Sequence, residues 1–314
     1  MLIAITGGMG FIGRALAQAH IKRGDRVRIL SRQPQLHPAL NGAALYRGDL
    51  VASVDSLTQF AEGADILYHC AGEIQNPEKM RAVHVTGTQN LCAAASGRIG
   101  HWVQLSSVGT YGFHADGQIT EDTQLNPAGT YEITKTLSDE EVMKASGRGA
   151  FSYSILRPSN VYAADMTNRH LFLMIEMIMR GLFFFIGRPG ASANYIHVVN
   201  VVEALMLCGR EPSPRGNVFN LSDHRTFEAF VAVIADELGC HCPILRLPEQ
   251  PLRWLSKVFG SLPGFPLTSS RINAMTTRCV YPIDKIRKEL GYAHEVSMEE
   301  GIRELVRAWK RSRS

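Results

Sequence analysis

Long uninterrupted apolar runs are missing from this chain of 314 residues. The most apolar stretch, residues 171–186, carries Glu176 and Arg180 and is too short to span a bilayer as a helix. Met1 leads directly into an apolar run, without the basic region and the small-residue cleavage site of a signal peptide. We therefore expect no membrane span and a cytoplasmic location.

A large excess of charge of either sign is also missing. The chain has 33 Lys and Arg against 29 Asp and Glu, a formal net charge of +4. Five basic side chains lie near its end, at Arg303, Arg307, Lys310, Arg311 and Arg313. Such a cluster is typical of the solvated face of a last helix, so we expect no nucleic-acid partner. A hydrophobic fraction of 45% excludes an intrinsically disordered chain.

The cysteines show no regular spacing. They are Cys70, Cys92, Cys208, Cys240, Cys242 and Cys279. In a chain this long, scattered cysteines indicate thiols in a reducing compartment rather than a disulfide framework. Cys240 and Cys242 flank His241, but Cys-x-Cys lacks the usual spacing of a zinc site and no second ligand pair is evident. We expect no metal.

Strand-length apolar runs alternate with helical periodicity through the first half of the chain. The apolar runs are residues 2–6, 27–30, 66–70, 102–106 and 151–156, and the helical segments are residues 12–23, 53–61, 83–95 and 131–145. This alternation predicts an α/β fold, a doubly wound parallel sheet (the Rossmann arrangement) with helices on both faces. Residues 217–221 predict a late strand that returns to the sheet.

The first predicted strand is followed at once by a glycine-rich loop and a helix. Residues 6–13 read Thr-Gly-Gly-Met-Gly-Phe-Ile-Gly. Gly7 permits the tight turn, Gly10 lets backbone N–H groups approach a pyrophosphate, and Gly13 lets the helix pack closely on the strand. Phe11 and Ile12 open the helix, whose N-terminus favours negative charge. The motif predicts a dinucleotide coenzyme.

The end of the second strand indicates which dinucleotide is bound. An acidic residue there would bind the ribose hydroxyls of NAD and repel the extra phosphate of NADP. This chain has Ser31 and Arg32 instead, with Arg14 directly after the glycine loop, and these groups suit a 2′-phosphate. We therefore predict NADP(H) in preference to NAD(H). Asp49 and Leu50, after the next strand-like segment, are placed to contact the adenine.

The second half of the chain predicts a smaller unit beside the sheet. We expect residues 1–163 to form the dinucleotide-binding domain, with residues 195–224 returning to it. Residues 164–194, rich in Met and Phe, and residues 225–314 would form a smaller, mostly helical C-terminal substrate domain. Its last helix should begin at Ser297, the N-cap of a capping box.

A candidate catalytic group follows from spacing. Tyr131 and Lys135 lie four residues apart, and therefore on one face of a helix. A nearby cation lowers the pKa of a tyrosine, so Tyr131 could exchange a proton with a substrate oxygen while hydride moves at carbon. Ser107 follows the preceding strand at its C-terminal end, where open α/β sheets bind ligands, and can hydrogen-bond the same oxygen.

Several segments together resemble the extended branch of the short-chain dehydrogenase/reductase superfamily, the epimerase/dehydratase-like proteins that modify nucleotide sugars. Besides the glycine motif, they are residues 48–50, 69–72, 87–91, 106–112, 131–135, 156–162, 195–198 and 284–292. The resemblance implies that Ser107 orients the substrate and that Tyr131 is the acid/base. It implies that Lys135 binds the nicotinamide ribose and lowers the Tyr131 pKa, and that Ala71 contacts the coenzyme.

Departures from the family pattern bear on the substrate. His84 stands where the family usually has Asn, and the alternatives there are a proton relay and a satisfied structural histidine. Residues 191–194 lack the Arg with which nucleotide-sugar members grip the diphosphate, whereas Asn160 matches a substrate-binding Asn of those members. The arginines that could bind an anion instead are Arg188, Arg271 and Arg278. We predict substrate contacts at Ser107, Asn160 and Arg278.

Three functions remain open at this point. The first is an NAD(P)-dependent reductase, dehydrogenase or epimerase that acts on a hydroxyl or keto carbon of a nucleotide sugar. The second is the same chemistry on an apolar, sterol-like or flavonoid-like alcohol, which the missing Arg and the apolar residues 166–185 and 254–265 favour. The third is an NADP-sensing module without turnover, although such proteins tend to lose the tyrosine or the lysine.

The resemblance also implies a homodimer, because relatives commonly pair through two long helices. The apolar residues that could form this interface are Val83, Val85, Leu91, Leu137 and Val142. The same residues would serve equally for helix-to-sheet packing within one chain.

Overall fold

The computed structural model of this chain describes residues 1–52, 54–166, 170–210, 216–259 and 268–313. Its strands are β1 (Leu2–Thr6), β2 (Arg26–Ser31), β3 (Ala44–Arg47), β4 (Ile66–His69), β5 (His101–Leu105), β6 (Asp116–Gln118), β7 (Ser152–Pro158), β8 (Asn160–Tyr162), β9 (Phe185–Ile186), β10 (Ser192–His197), β11 (Asn217–Leu221), β12 (Asp223–Thr226), β13 (Arg246–Leu247) and β14 (Arg278–Val280). Its α-helices are α1 (Phe11–Lys22), α2 (Val54–Ala61), α3 (Pro77–Arg81), α4 (Gly87–Ala95), α5 (Thr130–Gly147), α6 (His170–Met179), α7 (Val198–Arg210), α8 (Phe227–Leu238), α9 (Glu249–Phe259), α10 (Ser269–Thr276), α11 (Asp284–Leu290) and α12 (Met298–Arg311).

Seven parallel strands form the central sheet, in the spatial order β11-β7-β5-β4-β1-β2-β3. In β1, Ile3 is paired with Val27 of β2 on one side and with Ile66 of β4 on the other. The strand order reverses at β1, so a crevice opens beyond the C-terminal ends of β1 and β4. The predicted doubly wound parallel sheet is confirmed, and β11 is the predicted late strand.

The central strands are apolar on both faces because the sheet lies between two hydrophobic cores. Ile3 and Ile5 pack with Leu16 of α1 in one core, whereas Ala4 packs with Leu91 of α4 in the other. Successive side chains of a strand point to opposite faces, so strands covered on both faces must be apolar at nearly every position.

A further core, built largely by α6, α8 and α12, lies outside the sheet. In α12, Ser297 and Glu300 form the predicted capping box, each side chain accepting a hydrogen bond from the other's backbone N–H. Arg303 and Arg307 pair with Glu237 of α8. These two residues of the basic C-terminal cluster are therefore partnered within the chain.

Some predicted segments differ from the structure or extend beyond it. The expected continuous helix over 83–95 is interrupted, because a π-helical turn at Ala82–Thr86 joins α3 to α4. Ser53, and residues 260–265 of the apolar segment 254–265, lie outside the described residues. Among the helices that are described, none has the length and apolar character needed to cross a membrane. The same residues hold no cluster of His, Cys, Asp or Glu suited to a metal ion.

Candidate active site

Two glycines of the loop leave no room for a side chain. Gly7 has φ +67°, and a Cβ there would lie 2.6 Å from the backbone nitrogen of Ala71. A Cβ at Gly13 would lie 2.3 Å from the Gly7 carbonyl oxygen. Gly10 is the N-cap of α1, where no side chain caps the helix and no acidic residue lies in the first turn. The backbone N–H groups of the first turn of α1, which begins at Phe11, therefore fit an anionic pyrophosphate.

The end of β2 lies beside the loop that follows β3. We call this region, together with the glycine loop of residues 7–13, the coenzyme edge. The Arg32 side chain is 75% exposed, and its guanidinium lies 4.0 Å from the Asp49 carboxylate. The Leu50 carbonyl accepts a hydrogen bond from Asn90 Nδ2. Arg14, directly after the glycine loop, donates to Asp165 at 2.7 Å.

The three predicted catalytic side chains lie together beyond the C-terminal end of β5. Tyr131, in the first turn of α5, hydrogen-bonds the Ser107 hydroxyl. Ser107 Oγ also accepts the Gly109 N–H at 3.0 Å, which fixes the hydroxyl. Lys135, one turn further along α5, donates from Nζ to the Leu105 carbonyl oxygen. Tyr131 and Lys135 therefore lie on one face of α5, and both side chains are at this end of β5.

The expected lowering of the Tyr131 pKa is not found. Burial, helped by the negative charges of Glu132 and Asp139, raises the pKa of Tyr131 to about 12, although the Ser107 hydrogen bond opposes the shift. Burial also lowers the pKa of Lys135, while Asp139 opposes that change. The Lys135 ammonium is bound to a backbone carbonyl, and desolvation of the phenol is the largest effect on the Tyr131 pKa.

A buried ion pair lies on the same face of α5, one turn beyond Lys135. Asp139 accepts hydrogen bonds from Ser106 Oγ at 2.7 Å and from the Arg157 guanidinium at 3.3 Å. The two charged side chains are 1% and 3% exposed. The sequence analysis missed this pair. Asp139 continues the four-residue spacing of Tyr131 and Lys135, and this spacing could have identified it.

His84 is a satisfied histidine in contact with the catalytic tyrosine. Its Nε2 accepts the Glu73 N–H at 2.8 Å, and its Nδ1 lies 2.8 Å from Thr134 Oγ1. Because a backbone N–H can only donate, Nδ1 carries the ring proton and donates to Thr134, whose hydroxyl in turn donates to the Thr130 carbonyl. The ring packs edge-on against Tyr131. Burial lowers the pKa of His84 to about 4.

A cavity of 390 Å³, the substrate cavity, opens at Ser107 and Tyr131. Asn160, for which a substrate contact is predicted, lines it, and Glu132 is the charged side chain in its described wall. The lining residues that the sequence analysis missed are Val108, Gly109, Glu132, Ser159, Ser192, Asn194, Tyr195, Phe227, Ala274, Thr277, Cys279 and Tyr281. These residues are scattered from 108 to 281, so no local spacing could have identified them.

Arg278, for which a substrate contact is predicted, is not among the residues that line the substrate cavity. Its guanidinium donates to the backbone carbonyls of Thr276, Arg188 and Pro189. Thr277 and Cys279 line the substrate cavity, whereas Arg278, between them on β14, points to the opposite face as strand alternation requires. Within the described residues, no Lys or Arg lines this cavity.

Comparison with known proteins gives one family match and several full-length relatives. The NAD dependent epimerase/dehydratase family matches residues 3–222. The 4-hydroxy-2-methyl-3-oxo-4-farnesyl-3,4-dihydroquinoline-1-oxide ketoreductase of Stigmatella aurantiaca is 30% identical over 95% of this chain and 93% of its own. A 3 beta-hydroxysteroid dehydrogenase/Delta 5-->4-isomerase of Mycobacterium tuberculosis is 24% identical over 96% of this chain and 88% of its own.

Among solved structures, the UDP-glucose 4-epimerase of Thermotoga maritima with UDP-glucose has a TM-score of 0.77 to this chain. It is 19% identical, and the match covers 100% of both chains. At this identity the similarity supports the fold.

Proposed function

The chain belongs to the NAD dependent epimerase/dehydratase family, and we propose that it is an NAD(P)-dependent reductase of an uncharged, largely apolar ketone. The reverse reaction would oxidise the corresponding alcohol. This is the second of the substrate classes that the sequence left open.

In the mechanism that we propose, Tyr131 and Ser107 bind the carbonyl oxygen of the substrate together. A nicotinamide coenzyme, when bound, supplies the reducing equivalent to the carbonyl carbon. Because burial keeps the Tyr131 phenol protonated at neutral pH, Tyr131 can donate its proton to the oxygen, which is the direction of reduction. Lys135, held at the Leu105 carbonyl, would bind the nicotinamide ribose.

The observation that carries this choice of substrate is the charge of the cavity wall. A nucleotide sugar brings a diphosphate, which proteins usually bind with Arg, Lys or helix N-termini. The described wall has Glu132 and no cationic side chain, so it disfavours an anionic ligand. The name of the Stigmatella relative points the same way, because it describes a farnesylated quinoline ketone without phosphate.

A nucleotide sugar remains the second candidate. Asn160, Ser159 and Asn194 line the substrate cavity and are neutral polar groups of the kind that hydrogen-bond sugar hydroxyls. Asn160 also matches the substrate-binding Asn that the resemblance to nucleotide-sugar enzymes implies.

For the coenzyme, we propose NADP(H) in preference to NAD(H), with Arg32 binding the 2′-phosphate. Arg32 and Asp49 are 4.0 Å apart, so the carboxylate can orient the guanidinium. The residues that we propose for the coenzyme site are Gly7, Gly10, Phe11, Ile12, Gly13, Arg32, Asp49, Leu50, Ala71 and Lys135. We propose that residues 1–163 and 195–224 hold the coenzyme, and that residues 164–194 and 225–314 cover the substrate.

The test is a substrate panel with the purified chain and NADPH or NADH. We expect uncharged cyclic ketones, such as 2-decalone or a 3-keto steroid, to cause loss of the absorbance of reduced nicotinamide. A 4-keto nucleotide sugar should be inert under the same conditions. A higher kcat/KM for the nucleotide sugar would replace the first candidate with the second.

The homodimer and the cytoplasmic location stay predictions. Val85, Leu91 and Val142 are buried within the single chain, whereas Val83 and Leu137 are half-buried. The interface we propose would therefore use the partly exposed residues of this set, and light scattering of the purified chain would measure its mass.

A further inference from the structure

A second cavity, also of 390 Å³, adjoins the substrate cavity. We call it the remote cavity. The residues that line both are Ala274, Thr277, Cys279 and Tyr281. The remote cavity extends from these shared residues to Gly112, Phe113 and His114, and Ser107 and Tyr131 do not line it. Each cavity alone is at the small end of the roughly 300–1,000 Å³ range of ligand pockets.

One face of α10 forms the floor of the remote cavity. Ser270, Asn273, Ala274 and, just past the helix, Thr277 line it. These positions follow the spacing i, i+3, i+4 and i+7, so they lie on one helical face. Ile272, on another face, is buried in the hydrophobic cluster with Leu252 of α9. The helix therefore turns a small, uncharged face toward the cavity.

The opposite wall of the remote cavity, residues 112–114, is connected to this floor by backbone and side-chain hydrogen bonds. Thr277 Oγ1 donates to the His114 carbonyl at 2.7 Å, and the Arg278 N–H donates to the Ala115 carbonyl at 2.7 Å. His114 Nε2 lies 3.1 Å from the Tyr111 carbonyl, which it can only reach as a donor. The wall is therefore held in place by β6 and β14, which pair in parallel.

The remote cavity is uncharged and ends at an exposed aromatic ring. Its described lining contains no Asp, Glu, Lys or Arg. Phe113, at the rim, is 55% exposed. An uncharged apolar arm of a ligand would cover part of this surface.

We propose that the two cavities form one elongated cleft for a single uncharged substrate. The reacting carbonyl lies at Tyr131, an apolar arm passes over Ala274 into the remote cavity, and Ala274 sets the length of arm that is accepted. This inference rests on the proposed function and deepens it, because it assigns the substrate class as ketones with an extended apolar arm opposite the carbonyl.

Ala274 is the position where the passage can be closed with least disturbance. Its methyl group lines both cavities, its side chain is exposed, and the core-facing residues of α10 are elsewhere on the helix. Ala274→Phe would place a ring between the cavities. Ala232→Phe is the matched control, because Ala232 is an exposed alanine of α8 that lines neither cavity.

The experiment uses the full chain and a ladder of 4-alkylcyclohexanones, from 4-methyl to 4-octyl, in the presence of NADP⁺ for binding and NADPH for turnover. Dissociation constants are measured by titration calorimetry, and kcat/KM is measured by nicotinamide absorbance. In the native chain and in Ala232→Phe, we expect affinity to rise about three- to fourfold per methylene until the remote cavity is filled. In Ala274→Phe the rise should stop at the shortest members, because the ring closes the passage to the remote cavity.

The outcomes separate the two proposals. Affinity that does not depend on chain length in the native chain, or a rise that Ala274→Phe leaves intact, overturns the elongated cleft. Length-dependent binding that Ala274→Phe abolishes supports the cleft even if none of the ketones is reduced, and in that case it is the proposed reductase function that fails.

Discussion

The coenzyme edge and the substrate cavity both lie at the C-terminal ends of the parallel strands, but they are built in opposite ways. The glycine loop of the coenzyme edge is made of backbone, within seven residues of sequence, and works because side chains are absent at Gly7 and Gly13. The substrate cavity is made of side chains from segments as far apart as Ser107 and Tyr281. The first depends on local spacing, and the second depends on how distant strands and helices pack.

This difference teaches what each region tolerates. A methyl group added at Gly7 or Gly13 would meet backbone atoms, which cannot move aside as a flexible side chain can, so a single substitution there should damage the loop. Apart from Glu132 and the catalytic Ser107 and Tyr131, the described cavity wall consists of neutral side chains. Exchanging one of these neutral side chains should alter specificity before it alters folding.

The largest effect is expected from the buried pair that supports α5. Asp139→Asn leaves the Arg157 charge without a carboxylate, in a site where both side chains are almost fully buried. We expect the free energy of unfolding to fall by about 3–5 kcal/mol. Urea unfolding would measure it, with Glu140→Gln as control, because Glu140 is about half exposed in its pair with Lys144. Equal midpoints for the two variants would contradict the role of the pair.

The next effect concerns the coenzyme edge. Gly13→Ala places a Cβ against the Gly7 carbonyl, and we expect a loss of about 3 kcal/mol of stability together with loss of coenzyme binding. Gly147→Ala is the same substitution in α5, where no atom lies within 4 Å of the added group. Thermal unfolding with and without NADPH would compare them. If both variants behave alike, tolerance does not differ between backbone-built and open positions.

The pH dependence of stability tests the hydrogen bond between His84 and Thr134 of α5. The pKa of His84 is lowered to about 4 from an ordinary 6.5, so its contribution to stability is fully present above pH 6.5 and is lost as pH falls toward 4. Between pH 8 and pH 5 this group should account for about 2 kcal/mol. We expect His84→Gln to be less stable than native at pH 8 and to lose less stability on acidification.

Urea unfolding at the two pH values measures this difference, with His241→Gln as the control because His241 is exposed. A His84→Gln variant that loses as much stability on acidification as the native chain would exclude His84 as the titrating group.

The smallest effect is expected from Arg32, whose side chain belongs to the coenzyme edge. Arg32→Ala should raise the KM for NADPH about tenfold, because one charge-assisted hydrogen bond to the 2′-phosphate is lost, and leave the KM for NADH unchanged. Arg26→Ala, at the other end of β2 and also exposed, is the matched control. Steady-state kinetics with both coenzymes would show it. A parallel rise for NADPH and NADH would argue against Arg32 as the selecting residue.

The sequence predicted the features that depend on short spacing. The strand–loop–helix around Gly13, the shared face of Tyr131 and Lys135, and the capping box at Ser297 each lie within a few residues, and each is found in the structure. The doubly wound sheet followed as well, because strands that are buried on both faces must be apolar throughout.

The features that were missed depend on contacts between distant segments. Whether Arg278 or Cys279 faces the cavity is set by the pairing of β14 with β6, more than 100 residues earlier, and a shift of one residue exchanges the two faces. The sequence places a cation near Tyr131, but it does not show that Lys135 is bound to the Leu105 carbonyl or how far burial raises the Tyr131 pKa.

The central claim is that Tyr131 donates a proton to the carbonyl of an uncharged ketone. The most direct measurement is the single-turnover rate of Tyr131→Phe with NADPH and a cyclic ketone, beside Tyr153→Phe, whose residue lies near the opposite end of the sheet on β7. We expect a loss of well over tenfold in Tyr131→Phe, with coenzyme affinity unchanged, and a native rate in Tyr153→Phe. A native rate in Tyr131→Phe would contradict it.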